Sequence, residues 1–329
     1  LPITLSQFRT KINVQKLPFQ VSSFSKIALL GSCFSDNIGV KLSAAKANVF
    51  LNPFGTIFNP VSLAEILDLH LSAETFSSNQ LFQNEDTFHG LQFAAEFKSN
   101  SKAELLKRVN DTLNQGKQFL KQADVLILTL GSAWAYRLNQ TNQIVGNCHK
   151  LPNSIFSKEL LSLDEMQNGL GCSFNALFEI NPSIKIVVTV SPVRHIKDGI
   201  IENNLSKSRL IQVAHHLKDK YSEVAYFPSY EIMMDDLRDY RFYNEDMIHP
   251  SQVAIDYIWE AFKASIYAQP DIENIQKLEK FAKLFSHKVL GDIKSRANWR
   301  KNLLTRVEAM EIEFPQLKFI KERAFISTL

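Results

Sequence analysis

Cysteine is scarce in this chain. Its 329 residues include only Cys33, Cys148 and Cys172, with no C-x-x-C pair. That excludes a disulfide framework and a clustered-cysteine zinc site, and it suits a reducing compartment. No stretch approaches the ~18 consecutive apolar residues of a membrane span. The segment from Leu1 to Lys11 has no unbroken apolar core and no cleavage site, so no signal peptide is expected there and the expected location is cytoplasmic. Neither sign of charge is in excess: Lys+Arg 37 against Asp+Glu 34 leaves +3, too balanced for an electrostatic nucleic-acid binder. G-x-G-x-x-G, Walker A, H-E-x-x-H and G-x-S-x-G are all missing. Their absence weakens nucleotide-binding, zinc-protease and α/β-hydrolase-elbow readings. No metal site and no cofactor are expected.

What is present is an ordinary globular mixture. Hydrophobic residues make up 45%, charged residues 22%, and the mean hydropathy is -0.12, which argues against a disordered chain. Short apolar runs alternate with helical patterns. Lys26–Gly31, Val49–Leu51, Asp124–Leu130, Ile184–Val190 and Val224–Phe227 read as strands, none cleanly alternating, as expected for parallel strands covered on both faces. Helical spacing recurs over Pro60–Leu71, Ser101–Gln122, Leu163–Glu179, Asn204–Lys220 and Gln252–Ile266. This alternation predicts a three-layer α/β/α sandwich around a mostly parallel sheet. Trp134–Lys150 interrupts it and reads as a hairpin whose return arm ends at Asn147-Cys148-His149-Lys150. Residues 1–268 are assigned to the α/β catalytic domain. Residues 269–329 read as a charged helical extension, an appendage or a homo-oligomerisation arm.

Two short segments carry the chemistry. Gly31-Ser32-Cys33-Phe34-Ser35 follows the first strand directly, and in an open α/β sheet ligands bind at the carboxyl ends of strands. A side chain in such a turn faces free backbone N–H groups and the positive end of the next helix. That favours a thiolate and a developing oxyanion. Cys33 is therefore a candidate nucleophile; the alternative is a small buried cysteine packing the turn. Asn244-Glu-Asp246-Met-Ile-His249-Pro250 places a carboxylate and an imidazole three residues apart. That spacing lets Asp246 orient His249 as a general base; the alternative is an acidic cap beside an exposed histidine. Tyr240-Arg-Phe-Tyr243 leads into this motif and is expected to wall the site. A third polar cluster, Ser191-Pro-Val-Arg194-His195, follows the fourth strand. There Arg194 could bind a carboxylate or phosphate and His195 could hydrogen-bond substrate, unless Arg194 simply pairs with Asp198.

The order nucleophile, Asp, His, with the last two in one D-x-x-H motif, resembles the SGNH or GDSL-type hydrolase superfamily. The pentapeptide Gly31–Ser35 is similar to the signature of its GSCFA family, with Ser35 in place of Ala. The resemblance runs from about Ile27 to Ile266 and implies a flavodoxin-like sandwich. It aligns the nucleophile with Cys33, or with Ser32 or Ser35 in a shifted register. It implies an oxyanion-hole glycine at Gly55 and the final pair at Asp246 and His249. The third block falls on Gly131-Ser132-Ala133-Trp134, so Ala133 stands where the superfamily has its oxyanion-hole Asn. Ser132 is the nearest substitute donor, with Asn147 and His149 further off. On an extended arm Cys148 and His149 would face opposite ways, and His149 or Asn147 is the favoured pocket residue.

The implied activity is hydrolysis of an O-acyl ester on a small molecule, carbohydrate or lipid. An acyltransferase using a thioester such as acyl-CoA as co-substrate is the alternative, with Arg194 and Lys150 placed for its phosphates. A non-catalytic binder that kept the fold is a third reading.

Overall fold

The computed structural model describes residues 10–286 and 293–328. Most of Leu1–Lys11, and residues 287–292 and 329 of the expected helical extension, lie outside the described residues.

The chain begins with β1 (Lys26–Gly31), α1 (Cys33–Ala44), β2 (Asn48–Leu51) and α2 (Pro60–Leu71). A small hairpin of β3 (Leu81–Asn84) and β4 (Thr87–Gly90) precedes α3 (Lys102–Leu120) and β5 (Val125–Leu130). Next come β6 (Trp134–Leu138), β7 (Gln143–Val145) and β8 (Phe156–Leu160), then α4 (Leu163–Ile180), β9 (Lys185–Val190), α5 (Ile200–Lys220) and β10 (Val224–Phe227). The helices Gln252–Ile266, Gln269–Lys283, Ile293–Glu313 and Ile320–Ser327 follow.

The central sheet has five strands, all parallel, in the order β10-β9-β5-β1-β2. Counting only these strands along the chain gives 2-1-3-4-5, the flavodoxin-like order. Successive residues of each strand feed opposite cores. Ala28, Leu30, Leu126, Leu128, Ile186 and Val188 face the side covered by α2, α3, α4 and α5. Ile27, Leu29, Val125, Ile127 and Val187 face the side of α1 and Gln252–Ile266. Both faces are buried, which is why the strands read as unbroken apolar runs.

Helix starts follow the side-chain chemistry. Asn59 caps α2, whose first residue is Pro60, and the Ser101, Ser162 and Ser251 hydroxyls cap three more helices. In α5 the expected start at Asn204 moves back to Ile200, because Gly199 at φ +111° turns the chain into the helix.

Two sequence readings need correction. The 134–150 region is more than a hairpin, since β8 pairs antiparallel with β6 on its other edge. Its return arm is not extended beyond Val145 either. His149 and Lys150 have φ of +49° and +59°, so alternation along a strand does not decide where Cys148 and His149 point.

The C-terminal helices enclose a small cluster of their own, built from Leu278, Phe281, Leu303, Val307, Phe319 and Ile326. They are also tied back to the sandwich. Lys46, just past α1, pairs with Glu322 and lies over the Phe319 ring. Glu279 accepts from Trp259 Nε1 and Lys263 Nζ of the last sheet-covering helix. Among the described residues no helix is long and apolar enough to cross a membrane.

Candidate active site

Three strand ends build the floor of the site. Gly31 lies beside Thr129 in the sheet, and at φ +142° a side chain there would run into the Thr129 carbonyl. Glycine is the residue that lets β1 turn at once into α1. Gly31 N–H donates to Asn52 Oδ1 at 2.9 Å, and Asn52 Nδ2 donates to Asp36 Oδ1 at 2.8 Å, so the turn is braced from β2.

Cys33 is the first residue of α1 and is half-buried. Its two serine neighbours are fully buried. Ser35 Oγ donates to Thr129 Oγ1 at 2.8 Å and is absorbed into the strand–helix joint. The Ser32 hydroxyl caps nothing and has no hydrogen-bond partner. The accessible nucleophilic atom of the pentapeptide is thus the Cys33 sulfur. Its thiol pKa is raised, against the expectation from helix position. Burial is the main cause and Asp36 adds to it, outweighing the Cys33 and Phe34 backbone N–H groups and the Lys207 charge. The resting group is therefore a thiol rather than a thiolate.

Asp246 and His249 make the expected pair. Asp246 Oδ2 lies 2.7 Å from His249 Nδ1, while its other oxygen accepts the backbone N–H groups of Ile248 at 2.9 Å and His249 at 3.0 Å. The His249 backbone N–H, then its ring, then the Ile248 N–H hold the Asp246 pKa down to about 2. The pair sits on a braced loop: Asn244 N–H donates to the His249 carbonyl at 2.8 Å, and Arg194 N–H to the Ile248 carbonyl at 3.1 Å. The helix after it is capped by the Ser251 hydroxyl. Both side chains are about half exposed, and no hydrogen bond joins His249 to Cys33 among the described residues.

Two groups sense one member each: His195 feels His249, and Lys207 feels Cys33. His195 stacks edge-on against Phe58, and burial, Lys207 and His249 push its pKa down to about 3. It is a neutral imidazole whose Nε2 is buried without a partner. Lys207, on α5, was not singled out from the sequence. It is fully buried, and its Nζ donates to the Gly131 carbonyl at 2.7 Å and the Ser191 carbonyl at 2.8 Å, the first residues past β5 and β9. Burial and Arg194 lower its pKa to about 7, against an opposing pull from Cys33. A signal for it existed. The buried stripe of α5 is Asn203, Ser206, Lys207, Leu210, Val213, Ala214 and Leu217, and Lys207 falls on it at helical spacing.

The remaining candidates divide. Arg194 does not pair with Asp198, which is held by Lys158. Instead its guanidinium meets Met234 Sδ at 3.0 Å and Asn204 Oδ1 at 3.1 Å. The Ser132 hydroxyl accepts Trp134 N–H at 3.0 Å and lies 3.4 Å from Ser206 Oγ, which in turn takes the Ala133 N–H at 2.7 Å. Gly55, at φ +79°, closes a turn in which its N–H donates to the Asn52 carbonyl at 2.8 Å, so that donor is already engaged. Asn147 Oδ1 accepts the His149 N–H at 2.7 Å as a local turn-former. His149 itself belongs to a separate buried cluster. Its Nε2 lies 2.8 Å from the Gly90 carbonyl and its ring 4.6 Å from that of His89. Burial pushes the Cys148 thiol up to about 11. No group of three or more metal-ligating side chains occurs among the described residues.

No match is found among curated proteins. Among solved structures the chain is similar to a carbohydrate esterase family 3 protein from Talaromyces cellulolyticus, with 10% identity and a TM-score of 0.36 over 77% of this chain and 99% of that one. It is also similar to a family 3 carbohydrate esterase from Clostridium thermocellum, with 13% identity and a TM-score of 0.33 over 78% and 98%. The profile of the GSCFA family matches residues 26–262, from the first residue of β1 into the helix after His249. With the pentapeptide at the head of α1 and the Asp246–His249 loop both inside that span, the chain belongs to the GSCFA family.

Proposed function

We propose that the protein is an ester hydrolase acting on O-acyl esters, with Cys33 as nucleophile, His249 as general base and acid, and Asp246 as the group that orients His249. The observation that carries this reading is the 2.7 Å contact between Asp246 and His249 Nδ1, on a carboxylate fixed by two backbone N–H groups. It leaves Nε2 as the nitrogen that exchanges protons.

His249 Nε2 takes the thiol proton as Cys33 Sγ attacks the acyl carbon. The carbonyl oxygen becomes an oxyanion at the head of α1, facing the backbone N–H groups that already act on Cys33. The C–O bond then breaks, and the alcohol leaves with the proton from His249. Water next attacks the thioester carbon, giving one proton to His249; the C–S bond then breaks, the sulfur takes that proton from His249, and the released acid loses its remaining proton to solvent. His249 must come within hydrogen-bond reach of the sulfur, directly or through one water, for the first step. The raised thiol pKa makes that base necessary. Lys207, buried among the strand ends, supports the developing negative charge where Ala133 offers no side-chain donor.

Incubation with p-nitrophenyl acetate followed by mass spectrometry tests the proposal. The expected result is nitrophenol release and an acetyl adduct on Cys33, both absent in Cys33→Ala. An active Cys33→Ala protein overturns it. Adding an alcohol to the same reaction reads acyl transfer, and transfer exceeding hydrolysis would make the enzyme an acyltransferase.

A further inference from the structure

Beside the Asp246–His249 loop lies a mostly apolar cavity of about 530 Å³, a volume within the range of small-molecule sites. Met233, Met234, Ile200, Tyr243 and Met247 supply much of its wall, and Arg194 stands among them. Met247 lies between the two members of the catalytic pair, and Arg194 N–H holds the Ile248 carbonyl at 3.1 Å, so cavity and loop share a wall.

Three observations point to an occupant. Apolar side chains that could have turned inward stay open on this rim: Ile200 is 60% exposed, Met247 52% and Tyr240 76%. Contiguous exposed apolar surface of this kind marks a binding site. Secondly, Arg194 has no carboxylate among its described partners, and its Nε is buried without an acceptor. Only that Arg194 nitrogen lacks an oxygen, since the guanidinium otherwise meets Asn204 Oδ1 and the Tyr243 side chain. Thirdly, apart from Arg194, Arg238 and Asp239, the walls are thioether, aliphatic and aromatic. Such walls adapt to a flexible hydrocarbon chain and offer little to the many hydroxyls of a sugar ring.

We propose that this cavity binds the medium-length apolar acyl chain of the substrate, with the carboxylate of the released product held by Arg194. The inference rests on the ester-hydrolase reading above and extends it from an unspecified acyl group to a fatty one. The chain lies between α5 and the 232–247 segment, and the alcohol part of the ester points away from it.

The experiment has a binding arm and a turnover arm. Calorimetric titration with octanoate and butyrate, both below their micellar concentrations, measures the cavity without any reaction. A fully buried methylene contributes about fourfold in affinity, so octanoate is expected to bind at least about tenfold tighter than butyrate. Ile200→Asp, at an exposed position, is expected to erase most of that advantage while the unfolding midpoint stays unchanged. Arg194→Gln is expected to weaken octanoate more than octanol. Equal binding of the two acids, or an Ile200→Asp protein that still prefers octanoate, overturns the proposal. In the turnover arm, p-nitrophenyl octanoate is expected to exceed the acetate in kcat/KM by a similar factor. A chain-length preference that appears only above the micellar threshold would assign the apolar rim to a lipid surface and overturn the cavity. Octanoate binding with no ester turned over would remove the hydrolase reading and leave the fatty-chain site standing. Acetate turnover without octanoate binding would do the reverse.

Discussion

Lys207 Nζ donates to the Gly131 carbonyl at 2.7 Å, placing a fully buried ammonium at the carboxyl end of the strand that runs beside β1 and the Cys33 turn. Its Nζ also lies 5.7 Å from the centre of the Tyr230 ring. The cation lowers the Cys33 thiol pKa while burial raises it, so the proposed nucleophile is tuned by a residue remote in sequence.

Replacing that cation should therefore slow the thiol. In Lys207→Met the alkylation of Cys33 by iodoacetamide is expected to drop several-fold at neutral pH, and its pH midpoint to move upward. Lys207→Arg, which keeps the charge, is expected to restore part of the rate. A midpoint unchanged in Lys207→Met would show that the ammonium does not act on the sulfur.

The same lysine makes a stability prediction. Its pKa falls from 10.5 to about 7 on folding, so between these values the unfolded chain binds the extra proton. Stability from this group therefore rises with pH through that window, and the cost is fully present below about 7. The difference in urea midpoint between wild type and Lys207→Met is expected to change across pH 7 to 9 in that sense. A pH-independent difference would contradict it.

Asp246→Asn keeps the shape of the pair but loses the anion. The expected fall in kcat is roughly 10²–10⁴-fold, the scale of general acid–base catalysis. Carbon-detected NMR titration should find the Asp246 carboxyl near 2, and a value at the ordinary 3.8 would show that the backbone N–H groups do not hold it.

Ser35→Ala separates the two nucleophile assignments. The change removes a buried 2.8 Å bond to Thr129 Oγ1 and is expected to cost about 1–3 kcal/mol in denaturant unfolding. The acetyl adduct on Cys33 is expected to persist. Loss of all acylation in a folded Ser35→Ala protein would favour the serine.

Gly31→Ala tests the turn itself. A methyl group there meets the Thr129 carbonyl at a φ of +142°. Destabilisation of at least about 1–3 kcal/mol is expected, with a larger loss of turnover as the head of α1 shifts. Thermal unfolding and nitrophenol release, measured together, check it.

Much of this architecture was legible in the residues. The five central strands read correctly because each is buried on both faces and short, as in the Val125–Leu130 run. Pro60 marked a helix start through local chemistry that no tertiary contact overrides. The D-x-x-H geometry was readable because three residues fix it. What escaped depends on partners far along the chain. β8, with the polar sequence Phe156-Ser-Lys-Glu-Leu160, is a strand because β6 offers it an edge. Gly55 looked like a free donor because nothing local says that Asn52 takes its N–H. Lys207 resembled any helical lysine until the two strand ends closed around it.

The C-terminal helices are bound to the helix that begins with Cys33. Lys46, which closes the turn after α1, is gripped by Glu322 and Phe319, and the Gln269–Lys283 helix lies along α1 itself. Cutting the chain after Ala268 would strip one flank of the nucleophile's own support and leave Trp259 Nε1 without its Glu279 acceptor. A shortened chain would keep Cys33, Asp246 and His249 yet lose contacts that brace the helix bearing Cys33, so the described C-terminal helices act as a splint for that helix.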